Sequence, residues 1–460
     1  MTTAASNISL FWPVGGRSLL KAIRPNNTGQ FLYWSQDGIV EQKDFPFDFS
    51  QRLDANDRNA VTGQLAKVAD VITQSVAKEV EGYEQVRVSL TAGSDSRAIF
   101  AILCHVVPRD RIEAITAGDP HSLDVRIAAR LCKRVGVRHT VKPNRGSRAL
   151  TDTSLDNALL QVHYTNSVRD GIKALPWVTK WPPASDIPTF GGKLGEIYTG
   201  FYYKYFGPTE AVPDSIERIL GVLLGTRFSR LRTLPFSDPK FGNGVVAQLQ
   251  QRLTQFSRYT RSGYDWLDLF YLFERASVWG SADVQIPWIV AKQPYVTPAA
   301  VLEAFRLPSP IARHCYIQAH LVGKYLPESR WVPINGGHLL SMEGGGGKVL
   351  ARQVMTLLAH VKKKLRLAKA MKQRHGVDGR GLMAPLPETY DLVHETLLES
   401  RSLAIQLLNR PDLEQMLVDY RLRGDSHDIL GRLFSIELYR LMIEKARMDK
   451  TPRKLEDSRT

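Results

Sequence analysis

The sequence contains little cysteine and has no long apolar run. Its three cysteines, Cys104, Cys132 and Cys315, are far apart, which argues against a zinc cluster or a disulfide framework. No segment approaches the roughly 18 uninterrupted apolar residues of a membrane-spanning helix. The first residues also lack the basic start and apolar run of a secretory signal. We therefore expect a soluble, cytoplasmic protein without a membrane span.

The composition fits neither a disordered nor a fibrous chain. Hydrophobic residues make up 43% and charged residues 23% of the 460 positions, as in globular proteins that bury a core. The formal net charge of +15 would suit a nucleic acid or another polyanion. The basic residues are spread along the chain, however, and one dense run at 362–374 has the spacing of a solvated helix face. Nucleic acid therefore stays open as a partner but is not favoured.

Two stretches have clear secondary-structure patterns. Residues 30–43 predict a β-hairpin, because β-rich residues flank the turn sequence Asp37-Gly38. From residue 86 onward, short β-rich runs alternate with helical patterns, which predicts an α/β fold with a doubly wound parallel sheet. Ligands of such sheets bind outside the carboxyl ends of the strands. The predicted elements are a strand at 86–90, a helix at 97–103, a strand at 112–116, a helix at 124–135 and a strand at 137–141.

Changes in these patterns divide the chain into three units. We predict a short N-terminal β-hairpin segment over residues 1–54 and an α/β domain over residues 55–375. The first helix of that domain carries a stripe of apolar residues between Val61 and Val76. A Pro- and Gly-rich stretch opens the third unit, residues 376–460, which is predicted to be helical.

The loop after the first predicted strand is rich in small and hydroxyl-bearing residues. It leaves a buried strand and opens a helix, so its backbone N–H groups can bind an anion. Thr91, Ser94 and Ser96 add hydroxyl donors. Among so many anion-binding donors, Asp95 makes chemical sense if Mg²⁺ joins it to a phosphate. An ordinary strand-to-helix turn, in which Asp or Ser caps the helix, explains the spacing equally well.

A family resemblance favours the first interpretation. Residues 91–97 resemble the pyrophosphate-binding loop of the N-type ATP pyrophosphatases, and most of all the Leu-Thr-Ala-Gly-x-Asp-Ser-Arg variant of asparagine synthetases and their relatives. Residues 191–202 resemble the Gly-x-Gly-x-Asp-Glu-Leu-Phe-x-Gly-Tyr segment of that family. Residues 114–128 and 433–440 are similar to it in a less specific way. The resemblance extends over roughly residues 10 to 445, and only the first two segments are specific.

The resemblance implies a set of site residues and Mg-ATP as the cofactor. Asp95 and Glu196 would hold Mg²⁺ and take part in catalysis. Lys348 follows four glycines, a pattern typical of a flexible loop; it is also the candidate for the late lysine that stabilises the adenylation transition state in this family. The residues implied in nucleotide binding are Ser89, Leu90, Thr91, Gly93, Ser94, Ser96, Arg97, Thr116 and Gly192.

The chain departs from the family pattern at two places. The acidic pair of the second segment is here Gly195-Glu196, so one expected magnesium ligand is missing. The family's glutaminase domain uses an N-terminal cysteine as its nucleophile, whereas this sequence begins with Met1-Thr2-Thr3. The 1–54 segment therefore resembles a truncated remnant of the glutaminase domain, and residues 55–375 resemble the synthetase domain.

The function implied by this resemblance is ATP-dependent amide synthesis without glutaminase activity. The enzyme would adenylate a small-molecule or peptide carboxylate and pass the acyl group to an amine, or to ammonia from a separate source. Two alternatives stay open: a tRNA-modifying or thiolating enzyme of the same superfamily, and a catalytically inactive nucleotide-binding scaffold. Two further features are left without a role. The aromatic residues of 198–206 suit an acceptor pocket or a core, and the segments 283–287 and 293–295 both echo a family Glu-x-Arg-x-Pro element.

Overall fold

The structure is a computed structural model, and most of the chain can be described from it. The described residues are 1–10, 13–15, 19, 30–36, 38–44, 52–142, 159, 185–202, 215–225, 231, 233–259, 263–277, 289–308, 315–334, 387–423 and 427–449.

A parallel sheet of five strands forms the centre of the α/β fold. The N-terminal hairpin consists of β1 (Gln30–Ser35) and β2 (Gly38–Asp44), which pair antiparallel as predicted. The strands of the sheet lie in the order β5-β4-β3-β6-β7, and every neighbouring pair is parallel. The parallel α/β sheet that the sequence predicts is therefore confirmed. The five strands are β3 (Val86–Ser89), β4 (Ile112–Ala117), β5 (Arg138–Lys142), β6 (Ser185–Gly191) and β7 (Ile289–Lys292).

Helices surround and extend this sheet. In the part of the chain that the structure describes, four short 3₁₀ turns accompany them: Arg109–Arg111, Gly195–Thr199, Pro294–Val296 and Pro327–Trp331. The helix Gly263–Phe270 continues into a π-helical turn, Tyr271–Ala276. The helices are α1 (Thr2–Leu10), α2 (Arg58–Val80), α3 (Ser94–Val106), α4 (Leu123–Val135), α5 (Ile216–Gly225), α6 (Pro239–Phe256), α7 (Gly263–Phe270), α8 (Pro298–Phe305), α9 (Tyr316–Tyr325), α10 (Pro387–Leu398), α11 (Leu403–Leu407), α12 (Arg410–Arg423) and α13 (His427–Asp449).

The elements predicted between residues 86 and 142 form close to their predicted positions. Helix α4 has Ser122 as its N-cap, whose hydroxyl accepts from the Val125 N–H, and it ends at Gly136 with a φ of 77°. A left-handed glycine is the usual end of a helix. Helix α3 differs, because its N-cap is Gly93, which has no side chain to cap the first turn. Its buried residues run without interruption from Ser96 to Leu103, so α3 is a core helix packed between α9 and α2.

The first helix was not predicted from the sequence. Helix α1 packs against α6 and α13, and its buried residues include Ala5 and Ile8. Buried apolar side chains from all three predicted units belong to one contiguous core. The boundary between the first two units stays a prediction, and the boundary at residue 375 lies outside the described residues.

The C-terminal part is helical, as predicted from its apolar pattern. Leu430, Leu433, Phe434 and Leu438 on α13 are all buried. The helix contacts α10 and α11 in addition to α1. Within the part of the chain that the structure describes, no helix combines the length and the apolarity needed to cross a lipid bilayer.

Candidate functional site

The two motif segments meet at the carboxyl edge of the sheet. The loop that follows β3 leads into α3, and the segment that follows β6 leads into the 3₁₀ turn Gly195–Thr199. The ends of these strands are paired neighbours, Ser89 with Gly191. Two segments separated by about a hundred residues in the sequence are thus brought side by side by the sheet. Their junction is where ligands of open α/β sheets bind.

Two glycines allow this close approach. A Cβ atom placed on Gly192 would lie 2.2 Å from the Ser96 backbone nitrogen, and one on Gly195 would lie 2.5 Å from Asp95 Cγ. Side chains at both positions would overlap α3. Leu194 between them has a φ of 67°, a strained conformation for a residue with a side chain. Strained backbone of this kind is often found at functional sites.

The loop itself is held in one shape by its own side chains. The Thr91 N–H donates to Ser96 Oγ at 3.1 Å, and the Gly93 N–H donates to Thr91 Oγ1 at 3.1 Å. The two hydroxyls lie 2.9 Å apart. The Ala92 N–H donates to Asp124 Oδ1, at the start of α4, at 2.8 Å. The loop is therefore preorganised. The N–H groups of Thr91, Ala92 and Gly93, which the sequence led us to expect at an anion, are instead bonded to side chains of the protein.

A pair of carboxyl groups stands at the N-terminus of α3. Burial, and after it the nearby Glu196 carboxylate, raise the pKa of Asp95 to about 7, although hydrogen bonds from Gln318 and Ser94 act to lower that pKa. Glu196 Oε2 is buried and makes no hydrogen bond within the described residues. Two acidic groups crowded together, one with an unpaired buried oxygen, form a fitting place for a cation.

The oxygen ligands fit magnesium better than a transition metal. Magnesium keeps several water ligands and needs one or two protein carboxylates. Over the described ranges, no group of three or more His, Cys, Asp and Glu side chains is placed to hold a metal ion. Asp95 and Glu196 are the two carboxyl groups that could contribute to a Mg²⁺ site, in which water would supply the other ligands.

Two buried tyrosines support the first turn of α3 from the side of β7. The Tyr295 hydroxyl donates to the backbone carbonyl of Asp95 at 3.1 Å, and the Tyr198 hydroxyl donates to the backbone carbonyl of Tyr295 at 2.5 Å. Burial raises the pKa of both phenols well above the ordinary value, so both act as neutral donors. Tyr202 is also buried, whereas Phe201 is partly exposed and stacks on Tyr271 with ring centres 4.8 Å apart. Tyr198 and Tyr202 belong to the core, which is one of the two roles considered for the aromatic cluster.

Arg97 and Thr116 point their polar groups into the protein. The Arg97 guanidinium is fully buried and donates to the carbonyls of Val332 and Pro333. Burial lowers the pKa of Arg97 to about 10. Thr116 Oγ1 is buried and donates to the Leu90 carbonyl at 2.8 Å. Through these hydrogen bonds to backbone carbonyls, the two residues hold α3 and the start of the loop in place.

His139 completes the contacts of Thr116. Its Nε2 lies 2.9 Å from Thr116 Oγ1, and burial lowers the pKa of His139 below its usual value. The Thr116 hydroxyl has a single proton, which it gives to Leu90, so His139 must donate through Nε2. A neutral His139 protonated on Nε2 satisfies this requirement.

The sequence analysis assigned no role to the two glutamines of the site, although Gln293 begins the segment 293–295 that echoes a family element. Gln318 on α9 is fully buried, and its Nε2 donates to Asp95 Oδ1 at 2.8 Å. The Gln293 side chain lies against Gly191, where a Cβ atom would be 3.1 Å from Gln293 Oε1. Gln293 directly follows β7, so its position after a parallel strand would have been the signal had β7 been predicted. For Gln318 the local sequence offers no such signal.

Lys348 and the segment 283–287 lie outside the described residues, so the suggested catalytic role of Lys348 stays a prediction. Comparison with protein-family models gave no match, and comparison with curated proteins gave no significant relative. The resemblance therefore depends on two short motifs, and any functional conclusion must draw on the geometry of the residues that carry them.

Proposed function

We propose that the protein is an ATP-dependent carbon–nitrogen ligase that adenylates a carboxylate and transfers the acyl group to an amine. The observation that carries the proposal is the meeting of Asp95 and Glu196 beside the strand–loop–helix turn at 91–96. The sequence resemblance pairs these same two residues, which lie about a hundred positions apart. The raised pKa of Asp95 and the unpaired Glu196 Oε2 both fit a group that requires a cation.

The order of the strands supports the proposal. Strands β3, β4 and β5 follow one another outward in one direction, and β6 and β7 continue on the opposite side of β3. We would expect this order in a doubly wound sheet, in which the crevice at the reversal of strand order is the usual ligand site. Here the reversal lies between β3 and β6, the strands that carry the two motifs.

Asp95 and Glu196 would hold the magnesium ion. When bound, Mg²⁺ neutralises negative charge on the phosphates and on the departing pyrophosphate. The protein's own contribution is to keep two carboxylates close together at the end of α3. Ser94 and Gln318 donate to Asp95, which favours its charged form.

The nucleotide would lie across the loop and the segment after β6. Gly93 is the N-cap of α3 and Ser94 is its first residue, so both would face the phosphates at the helix start. Gly192 packs against the α3 backbone at Ser96, so its role is to bring the two segments together rather than to bind a phosphate. Thr91 and Ser96 hold the loop closed, and Thr116 holds the Leu90 carbonyl. Ser89 stands at the exposed end of β3. In this arrangement Arg97 is a positioning residue, because its guanidinium is used by Val332 and Pro333.

The reaction has two steps. A carboxylate oxygen of the substrate attacks the α-phosphorus of ATP, and the bond to the β-phosphate oxygen breaks, which releases pyrophosphate and leaves an acyl adenylate. An amine nitrogen then attacks the acyl carbon, loses a proton and displaces AMP. The amine is part of a substrate, or it is ammonia from a separate source.

The cysteines give less support to the alternative function of a thiolating enzyme. Such an enzyme needs a thiolate that is accessible and ionised near neutral pH. Burial raises the pKa of Cys104 and of Cys132 to about 12, so both thiols are protonated. These two cysteines are suited to packing in their helices.

The proposed reaction is tested by exchange of labelled pyrophosphate into ATP in the presence of a pool of carboxylic acids. Exchange that depends on one acid and on Mg²⁺ is expected, because the first step is reversible. A protein that binds Mg-ATP but shows no exchange with any acid would be an inactive nucleotide-binding scaffold, and the proposed enzyme activity would be wrong.

A further inference from the structure

Gln318 joins three separate elements at the carboxyl pair. It lies on α9, the helix that packs along α3. Its Nε2 donates to Asp95 Oδ1 at 2.8 Å and to the backbone carbonyl of Gly195 at 3.3 Å. The residue is fully buried, so both bonds form away from water, where hydrogen bonds to a charged group are strong.

The same amide lies where the chain departs from the family pattern. A Cβ atom on Gly195 would be 2.5 Å from Asp95 Cγ and 2.6 Å from Asp95 Oδ1. The Asp95 carboxyl group therefore occupies the space that any side chain at position 195 needs. An acidic residue at this position would overlap Asp95 and add a third negative charge. The glycine at position 195 is therefore required by the position of the Asp95 carboxyl group.

Gln318 holds Asp95 in that location without adding charge. Within the described residues, the hydrogen bonds to the Asp95 carboxylate, from Gln318 and from Ser94, both go to Oδ1. The second oxygen, Oδ2, is left for a ligand. A neutral amide leaves the site with two negative charges, which balance one Mg²⁺ ion.

We propose that Gln318 is a positioning residue that compensates for the missing acid at Gly195 by fixing Asp95 in the cation site. The inference depends on the proposed function, because it assigns Gln318 a role in binding the magnesium–nucleotide complex. Gln318 acts through Asp95, and its own Oε1, which is buried without a hydrogen-bond partner, takes no part in the assignment.

A matched pair of substitutions tests this role. Gln318→Met keeps an unbranched side chain of similar size and removes the donor. The control is Gln64→Met on α2: Gln64 is a buried glutamine whose Nε2 donates to the carbonyl and to Oε2 of Glu303, each at 2.8 Å. Both variants lose a buried amide–carboxylate hydrogen bond, but only one of the two glutamines touches Asp95.

The readout is ATP affinity measured by calorimetry over a range of Mg²⁺ concentrations. We expect the Mg²⁺ concentration that gives half-maximal ATP binding to rise about tenfold or more in Gln318→Met, the scale of one lost hydrogen bond to a charged group. Binding of ATP in the presence of a chelator should change little. Gln64→Met should match the parent protein.

Gln318→Glu separates positioning from charge, and it also serves if the Met variant fails to fold. It keeps the length of the side chain but replaces the donor with a carboxylate that repels Asp95, so Mg²⁺ dependence should worsen as in Gln318→Met. Stronger Mg²⁺ binding by Gln318→Glu, or parent-like dependence in Gln318→Met, would overturn the inference alone. A parent protein that does not bind Mg-ATP would overturn the proposed function, and the inference with it.

Discussion

The hydroxyl of Tyr295 donates a hydrogen bond to the backbone carbonyl of Asp95 at 3.1 Å, although 200 positions separate the two residues. This bond joins the 3₁₀ turn after β7 to the first turn of α3. Asp95 is thus held by its backbone from Tyr295 and by its side chain from Gln318. A group that must present charge to a ligand is supported at two points by residues distant in sequence.

Tyr295→Phe tests the backbone support. The substitution keeps the ring and removes the donor, so the free energy of unfolding should fall by about 1 kcal/mol. ATP affinity should fall several-fold as the first turn of α3 loosens. Chemical denaturation and nucleotide titration measure the two effects. Tyr259→Phe, at a residue that is 62% exposed, is the control and should change neither.

Gly195→Ala tests the close contact with α3. The added methyl group would stand 2.5 Å from Asp95 Cγ, so we expect a loss of about 1–3 kcal/mol in stability and weaker Mg-ATP binding. The matched control is Gly63→Ala in the interior of α2, where a Cβ atom meets nothing within 4 Å. That variant should gain up to about 1 kcal/mol, because alanine favours the helix. Equal stability of the two variants would mean that Gly195 is not crowded.

Glu196→Gln isolates the charge of the second carboxylate. The amide has nearly the same size and can still form hydrogen bonds. We expect pyrophosphate exchange to fall about a hundredfold or more, the loss observed when one charge-stabilising group is removed from an active site. ATP affinity should fall less, since Asp95 and the strand–loop–helix turn are unchanged. Glu217→Gln, on an exposed turn of α5, serves as the control. Unchanged exchange in Glu196→Gln would make Glu196 a structural residue.

The raised pKa of Asp95 predicts a pH-dependent stability without metal. The folded pKa of about 7 exceeds the ordinary value of 3.8, so between these values the folded protein binds more protons than the unfolded chain. Stability therefore falls as pH rises from about 4 to about 7, by at most about 4 kcal/mol. Denaturation of the parent and Asp95→Asn is compared in chelator over this range. The difference between them should grow with pH and shrink when Mg²⁺ is added, and a constant difference would contradict the assignment.

The parts of the fold that the sequence predicts are those with strong local patterns. The hairpin at 30–44 and the elements between 86 and 142 have clear turn signals, alternation or helical stripes. Strand β6 was missed because Pro188 interrupts it, and its pairing register shifts between Ser185 and Thr189. Strand β7 has only four residues, and α1 buries polar Ser6 and Asn7 beside its apolar residues. Such elements depend on their tertiary surroundings.

The residues of the candidate site likewise fall into those that the sequence predicts and those that it does not. The motif residues Asp95 and Glu196 were identified by resemblance, and the sheet brings their segments together. Arg97 was expected at the nucleotide, but its guanidinium binds the carbonyls of Val332 and Pro333. The roles of Gln318 and Tyr295 could not have been predicted from the sequence. Their roles follow from their hydrogen bonds to Asp95, which form only in the folded protein.

Thermal unfolding with and without Mg-ATP shows whether Asp95 takes part in a Mg-ATP site. This measurement needs no knowledge of the acid or the amine. ATP at 100 times its dissociation constant should stabilise the parent by about 2.7 kcal/mol, because it binds only the folded state. Asp95→Ala should lose this stabilisation. An equal Mg-ATP-induced rise in the melting temperature of parent and variant would contradict the claim.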